Sequence, residues 1–170
     1  MKEWDAELTQ EHEQVAAQVN GLEIALRANL SAQERQAVLA EAIRKLAPFL
    51  ESHFHKEERV CFSTLQRMTG CRAGVLLLVQ ELKKIRGLLK HLEELLRGPA
   101  PLEWEGVTLA VDGLIEILED HEKKEDYLIV EVLRKNLKPA ELEKLARAYH
   151  QAGEKESSMK SSHGGAAYPQ

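Results

Sequence analysis

The sequence predicts an all-α protein, specifically an up-down-up-down four-helix bundle with a short C-terminal fifth helix. Three observations support this fold class. Leu, Ala, Glu, Lys and Arg dominate the composition, aromatic residues make up 5%, and Pro and Gly are scarce, as in helical proteins. Four long segments carry apolar residues at spacings of three and four. Short breaks separate these segments, and short connections favour antiparallel neighbours.

The first two helices are predicted from an apolar stripe and a capping signal. The first runs over about residues 4–28, and its inward stripe consists of Leu8, Val15, Val19, Leu22 and Leu26. The second begins after Ser31, because Ser31 and Glu34 have the spacing of a capping box. It runs to about residue 66, with Leu39, Ile43, Leu46 and Leu50 facing inward.

The third and fourth helices are predicted on either side of the breaker sequence RGPAP, over about residues 72–96 and 102–137. A short fifth helix begins with Pro139 in its first turn. The polar, aperiodic residues after it predict a flexible tail. The chain is therefore expected to comprise a bundle at 1–137, a short helix at 138–151 and a tail at 152–170.

The charge and the cysteines exclude several classes of function. The net charge is −5 and the basic residues are interspersed with acidic ones, so no nucleic-acid partner is expected. No apolar run approaches the length of a membrane span, and the N-terminal residues do not resemble a signal peptide. We therefore expect a soluble, cytoplasmic protein without a membrane partner. Cys61 and Cys71 lack the spacing of a metal finger and are interpreted as reduced residues in or near the core.

Five polar residues interrupt the apolar stripes of three helices. His12 lies in the first stripe, His53 and Glu57 in the second, and His121 and Glu125 in the fourth. Spacings of three and four keep each of them on the inward face of its helix. In an up-down bundle their heights agree within about one to two turns. We therefore expect the five side chains to converge inside the bundle.

A divalent metal ion explains why an apolar core would accept these side chains. Buried polar and charged groups cost several kcal/mol each when unpaired, and Lys and Arg are absent from these stripe positions. Imidazole and carboxylate together suit iron, manganese or zinc. A single histidine would more simply be a core residue, but five converging positions predict a metal site.

The second and fourth helices carry the same motif. The segments FLESHFHKEERVCFSTL and ILEDHEKKEDYLIVEVL align without gaps at an offset of 68 residues. His53 then matches His121, and Glu57 matches Glu125. This repeat predicts two helix hairpins related by a pseudo-twofold axis.

The first and third helices match less completely. When their stripes are aligned at an offset of 70 residues, His12 falls on Leu82. Gln80 and Glu81 flank Leu82, but the helical pattern predicts that both point away from the stripe. One half of the candidate site therefore has two histidines and the other half has one.

At these motifs the chain resembles the hemerythrin-like, or HHE cation-binding, family. The segment QEHEQV is similar to the first-helix histidine segment of that family, and HFHKEERVCF and HEKKEDYLIV are similar to its two H-x-x-x-E-E segments. The resemblance covers nearly all of residues 1–137. The third-helix segment of the family usually reads Glu-His, whereas QELKKI places Leu82 at the histidine position.

The resemblance implies a non-haem di-iron site in which histidines cap each metal and two glutamates bridge them. The implied ligands are His12, His53, Glu57, His121 and Glu125. Because Leu82 replaces a ligand, we expect one well-held metal ion and a second that is weak, water-rich or absent. The cofactor is thus expected to be mononuclear or dinuclear iron, with zinc or manganese as alternatives.

The resemblance implies sensing or storage of oxygen, nitric oxide or redox state, with a small molecule as the partner. A metal-free or zinc-stabilised bundle that binds a protein partner is the alternative, and a structural iron or zinc buffer is a third. No Ser/His/Asp or Cys/His arrangement and no phosphate loop stands out. The sequence thus does not predict an enzyme, although turnover of peroxide or nitric oxide at an open iron stays an alternative.

Overall fold

The computed structural model describes residues 5–70, 72–98 and 102–163, with side chains described as far as Gly153. This part of the chain is helical and contains no strand, which confirms the predicted all-α class. The helices are α1 (Ala6–Arg27), α2 (Ala32–Lys56), α3 (Ser63–Thr69), α4 (Arg72–Arg97), α5 (Trp104–Glu125), α6 (Val132–Asn136) and α7 (Pro139–His163). A first π segment (Glu57–Phe62) joins α2 to α3, and a second π segment (Asp126–Glu131) joins α5 to α6.

Helices α1, α2, α4 and α5 pack side by side in a helical bundle. Helix α1 contacts α2 and α5, and α4 contacts the same two helices, so that each of these four helices packs against two of the others. Helix α7 packs against α2 and the first π segment. Among the described residues, no helix has an apolar stretch of the length needed to cross a bilayer.

The predicted apolar stripes form the core. The stripe residues of α1 are all buried, and so are those of α2, namely Leu39, Ile43, Leu46 and Leu50. Helix α4 adds Leu78, Leu82, Ile85 and Leu92, and each of these is fully buried. Cys61 is buried in the core, as expected, and forms no disulfide among the described residues, whereas Cys71 lies outside them. The helical periodicity of the sequence therefore locates the core correctly.

The last helix differs from its predicted length. It was expected to end near residue 151, with a flexible tail over 152–170, but α7 continues to His163. Residues 164–170 lie outside the described part of the chain. The extension is physically reasonable because Gly153 costs only about 1 kcal/mol relative to Ala within a helix. The Glu, Lys and Met residues that follow are good helix formers.

Two helix ends follow directly from the sequence. The Ser31 side chain accepts a hydrogen bond from the Glu34 backbone N–H, and the Glu34 carboxylate accepts one from the Ser31 backbone, which confirms the predicted capping box. Gly70 ends α3 with a φ of 64°, in the left-handed region. A residue with a Cβ is strained there.

Replacing Gly70 with alanine is expected to lower the free energy of unfolding by about 1 kcal/mol, as measured by urea denaturation of the metal-free protein. Gly87→Ala is the matched control. Gly87 lies inside α4, and a Cβ at this position would meet no atom within 4 Å. The control should stabilise the protein by roughly 0.5–1 kcal/mol. Equal losses of stability in the two variants would contradict this interpretation of Gly70.

Candidate metal centre

The structure brings together all five side chains that interrupt the apolar stripes. His53 Nε2 lies 2.6 Å from Glu57 Oε1, and His12 Nε2 lies 3.3 Å from Glu125 Oε2. His121 Nε2 lies 3.4 Å from Glu125 Oε1 and 3.9 Å from Glu57 Oε2. One donor atom each from His12, His53, Glu57 and Glu125 falls within 4.8 Å of the others. The predicted convergence is therefore present.

The local helix geometry aims each His–Glu pair at one point. His53 and Glu57 are one turn apart where α2 passes into the first π segment, and His121 and Glu125 are one turn apart at the end of α5. Both glutamates are 0% exposed. The π segments begin at or directly after the glutamate in both copies of the motif. Such segments often occur at functional sites, and the sequence pattern did not predict them.

Most of the donor atoms in this cluster form no hydrogen bond of good geometry among the described residues, although imidazole and carboxylate atoms approach within ion-pair distance. These buried atoms are His12 Nε2, His121 Nε2 and both carboxylate oxygens of Glu57 and of Glu125. Leaving such groups unsatisfied costs several kcal/mol each. A divalent cation would satisfy them together, and the mixture of imidazole nitrogen and carboxylate oxygen suits iron, manganese or zinc. The residues present therefore fit a metal ion.

Glu11 orients His53, a role that the helical pattern of the sequence did not predict. The His53 Nδ1–H donates to Glu11 Oε2 over 2.9 Å, which leaves Nε2 directed at Glu57. Tyr149 Oη donates to the same Glu11 oxygen over 2.8 Å, and Lys56 Nζ donates to Glu11 Oε1. When a metal-binding histidine donates its other ring N–H to a carboxylate, this hydrogen bond fixes the tautomer and the orientation of the ring.

Glu81 has the same role at His121. The His121 Nδ1–H donates to Glu81 Oε2 over 3.1 Å, and Lys124 Nζ donates to Glu81 Oε1. The expectation that Glu81 points away from the site was thus wrong, because its long side chain reaches His121 from the edge of the stripe. The dipeptide Gln-Glu precedes both His12 and Leu82. This shared dipeptide is the signal that could have identified Glu11 and Glu81.

The two halves of the cluster differ at Leu82, as the repeat predicted. Leu82 is fully buried and lies next to Glu81, at the position that corresponds to His12. The ring of Phe54 packs against both histidines, with its centroid 5.8 Å from that of His53 and 6.1 Å from that of His121, so it does not distinguish the halves. The half around His121 therefore has an orienting carboxylate, but it has Leu82 in place of an imidazole and one donor fewer. His91 is exposed, as expected, and contributes nothing to this half.

The cluster is strongly coupled electrostatically in the metal-free protein. Burial lowers the pKa of His53, but the charge of Glu57 and the hydrogen bond to Glu11 outweigh it and raise that pKa to about 10. Glu125 and Glu57 similarly outweigh burial and raise the pKa values of His12 and His121 to about 9. These imidazolium groups contribute their full stabilisation of the metal-free fold below the ordinary histidine pKa of 6.5, and the contribution declines from that pH until it is lost at about pH 9 to 10.

The pKa values of the two buried carboxyl groups, Glu57 and Glu125, are shifted in opposite directions. Burial raises the pKa of Glu57, yet the charge of His53 and the neighbouring imidazoles outweigh burial and hold that pKa well below its ordinary value. Burial and the charge of Glu57 raise the pKa of Glu125 to about 7. The metal-free cluster at neutral pH therefore contains three protonated imidazoles, an ionised Glu57 and a partly protonated Glu125.

Metal binding should release protons, because a coordinating imidazole nitrogen must be deprotonated. With His12 and His53 protonated and Glu125 partly protonated at pH 7, we expect between about two and three protons to be released per ion. Affinity should accordingly increase with pH between 6 and 8. Isothermal titration calorimetry with Zn²⁺ in buffers of different ionisation enthalpy measures this number. Binding heats that are independent of the buffer would contradict the protonation of both imidazoles in the metal-free protein.

Together, the all-helical bundle and the buried His/Glu cluster define a helical protein with a candidate cation site. The chain belongs to the family of the hemerythrin HHE cation-binding domain, whose family model matches residues 5–133. The resemblance seen in the motifs is thereby confirmed. Searches of curated proteins and of solved structures find no match to the chain.

Proposed function

We propose that the chain binds non-haem iron at this cluster and senses or stores oxygen, nitric oxide or redox state. The observation that supports the proposal is the set of six buried donor atoms, on His12, Glu57, His121 and Glu125, without hydrogen-bond partners among the described residues. Family membership supports cation binding. When bound, iron supplies a change of oxidation state and a coordination position for a small molecule.

The protein residues have separate roles in this proposal. His12 and His53 bind through Nε2, Glu57 and Glu125 supply carboxylate oxygens, and His121 is the fifth protein ligand. Glu11 and Glu81 hold the rings of His53 and His121 through Nδ1. The apolar core around the cluster lowers the local dielectric constant and so strengthens the charge interactions within it.

The asymmetry of the cluster supports one tightly bound ion. The four donors within 4.8 Å of one another include His12 and His53 but not His121. Leu82 removes the imidazole that would complete the half around His121. A second ion in that half would be weakly held and would depend on water for its remaining ligands.

We also propose the up-down-up-down arrangement for α1, α2, α4 and α5. Gln36, near the start of α2, donates to the carbonyls of Leu96 and Gly98 at the end of α4. Arg86, further back along α4, pairs with Glu51 towards the end of α2. These contacts support an antiparallel α2–α4 pair. Asp5 at the start of α1 pairs with Arg134 of α6, which supports an antiparallel relation between α1 and the helical segment from α5 to α6.

The proposed function is tested by metal analysis and an absorption spectrum. The protein is purified aerobically after expression with iron, then reduced and exposed to oxygen or nitric oxide. We expect about one iron per chain and an absorption change on exposure to the gas. A folded, colourless protein that takes up neither iron nor zinc would contradict the proposal. That result would favour the partner-binding bundle, with the His/Glu cluster as the remnant of a site.

A further inference from the structure

Tyr149 connects the C-terminal helix to the candidate metal centre. It lies on α7, beyond residues 5–133 that the family model matches. Its side chain is 3% exposed, and its Oη lies 2.8 Å from Glu11 Oε2 and 3.4 Å from His53 Nδ1. A residue outside the family domain therefore contacts the carboxylate that orients a proposed metal ligand.

Lys56 completes the contact between α7 and this part of the cluster. Its Nζ lies 4.6 Å from the centroid of the Tyr149 ring and donates to Glu11 and, over 3.0 Å, to Glu7. Lys56 is 4% exposed. A Cβ at Gly153 would come within 3.3 Å of Lys56 Cδ. Glycine at this position thus allows α7 to approach the Lys56 side chain closely.

In the other half of the cluster, the orienting carboxylate has no tyrosine donor that corresponds to Tyr149. Glu81 accepts hydrogen bonds from His121 and Lys124, as Glu11 does from His53 and Lys56. Among the described residues, no tyrosine donates to Glu81. The repeat therefore provides the carboxylate, the imidazole and the lysine twice, whereas α7 provides the tyrosine only once. The tyrosine acts on the half that the proposed function assigns to the tight ion.

We propose that Tyr149 is a positioning residue for His53, and that the docking of α7 is thermodynamically coupled to metal binding. This inference rests on the proposed function. With one oxygen held by Tyr149 and the other by Lys56, Glu11 has a fixed orientation and fixes the His53 ring. Coupling between two binding events is reciprocal. If docked α7 favours the metal-binding orientation of His53, a bound ion favours docked α7 to the same extent.

The variant Tyr149→Phe tests the positioning role, because it removes one hydroxyl and keeps the buried ring. The probe is Co²⁺, whose visible absorption reports both affinity and ligand geometry. We expect the dissociation constant to rise roughly tenfold and the absorption band to shift. Tyr127→Phe is the matched control, since Tyr127 is 66% exposed, and it should bind Co²⁺ as the parent does. Unchanged affinity and spectrum in Tyr149→Phe, with a parent that binds Co²⁺, would overturn the inference.

Hydrogen exchange of the parent protein tests the coupling without relying on a variant. Co²⁺ should slow the exchange of backbone amides over residues 142–152 of α7 by up to roughly tenfold, the factor expected for the change in Co²⁺ affinity. In Tyr149→Phe this protection should be largely lost. Exchange in α7 that is identical with and without bound Co²⁺ would overturn the coupling. A parent that binds no metal would instead contradict the proposed function, and the two failures are therefore distinguishable.

Discussion

Replacing Glu57 with glutamine is expected to lower metal affinity by more than about 100-fold, the largest loss expected from a single substitution in this cluster. Glu57 is fully buried, and its carboxylate lies within 4.0 Å of the Nε2 atoms of His12, His53 and His121. Glutamine keeps the volume but removes the negative charge that a cation requires. Elemental analysis after dialysis and titration with Co²⁺ measure the loss.

Glu58→Gln is the control for this variant. Glu58 is adjacent in sequence but half-buried, and it pairs with Arg86 of α4 rather than with the cluster. It should retain the metal content of the parent. Thermal unfolding of both metal-free variants establishes that they are folded. If Glu57→Gln retains its metal, or if both variants lose it equally, Glu57 is not a ligand.

The second large expected effect is a gain of bound metal. Leu82→His should raise the metal content from about one to about two ions per chain. Leu82 occupies the position that corresponds to His12, and the neighbouring Glu81 already orients His121. The new imidazole would thus join a half-site whose other parts are present. Elemental analysis and a two-site titration with Zn²⁺ provide the count.

Leu78→His is the control for the additional metal ion expected in Leu82→His. Leu78 is fully buried on the same face of α4, one turn before Leu82, so this variant also buries an imidazole in the core. It should bind no additional metal and should be destabilised. If the two variants gain metal equally, or if folded Leu82→His gains none, the pseudo-twofold relationship does not extend to Leu82.

The helical spacing of the sequence was sufficient to predict the core and the convergence of five side chains in the candidate site. Apolar residues at spacings of three and four specify the inward face of each helix, and a polar residue in that pattern is necessarily brought inside. The two-copy motif related His53 to His121 and showed that Leu82 breaks the symmetry. These features are local, or they repeat at a fixed offset. A single sequence therefore contains them.

The residues that the sequence did not reveal act across elements. Glu11 and Glu81 lie at the edges of their stripes, and only the length of the side chain and the position of the neighbouring helix bring them to His53 and His121. The contact of Tyr149 with Glu11 could not be predicted without knowing where α7 packs on the bundle. The π segments require one extra residue per turn, which the apolar spacing does not distinguish from an ordinary helix.

Anomalous X-ray diffraction at the iron absorption edge, from crystals of the iron-loaded protein, tests the central claim most directly. We expect one strong peak at coordinating distance from His12 Nε2, His53 Nε2 and the carboxylates of Glu57 and Glu125. Any second peak should be weaker and lie towards His121. Iron located elsewhere, or an iron-loaded crystal with these side chains hydrogen-bonded to one another and no peak between them, would contradict the account.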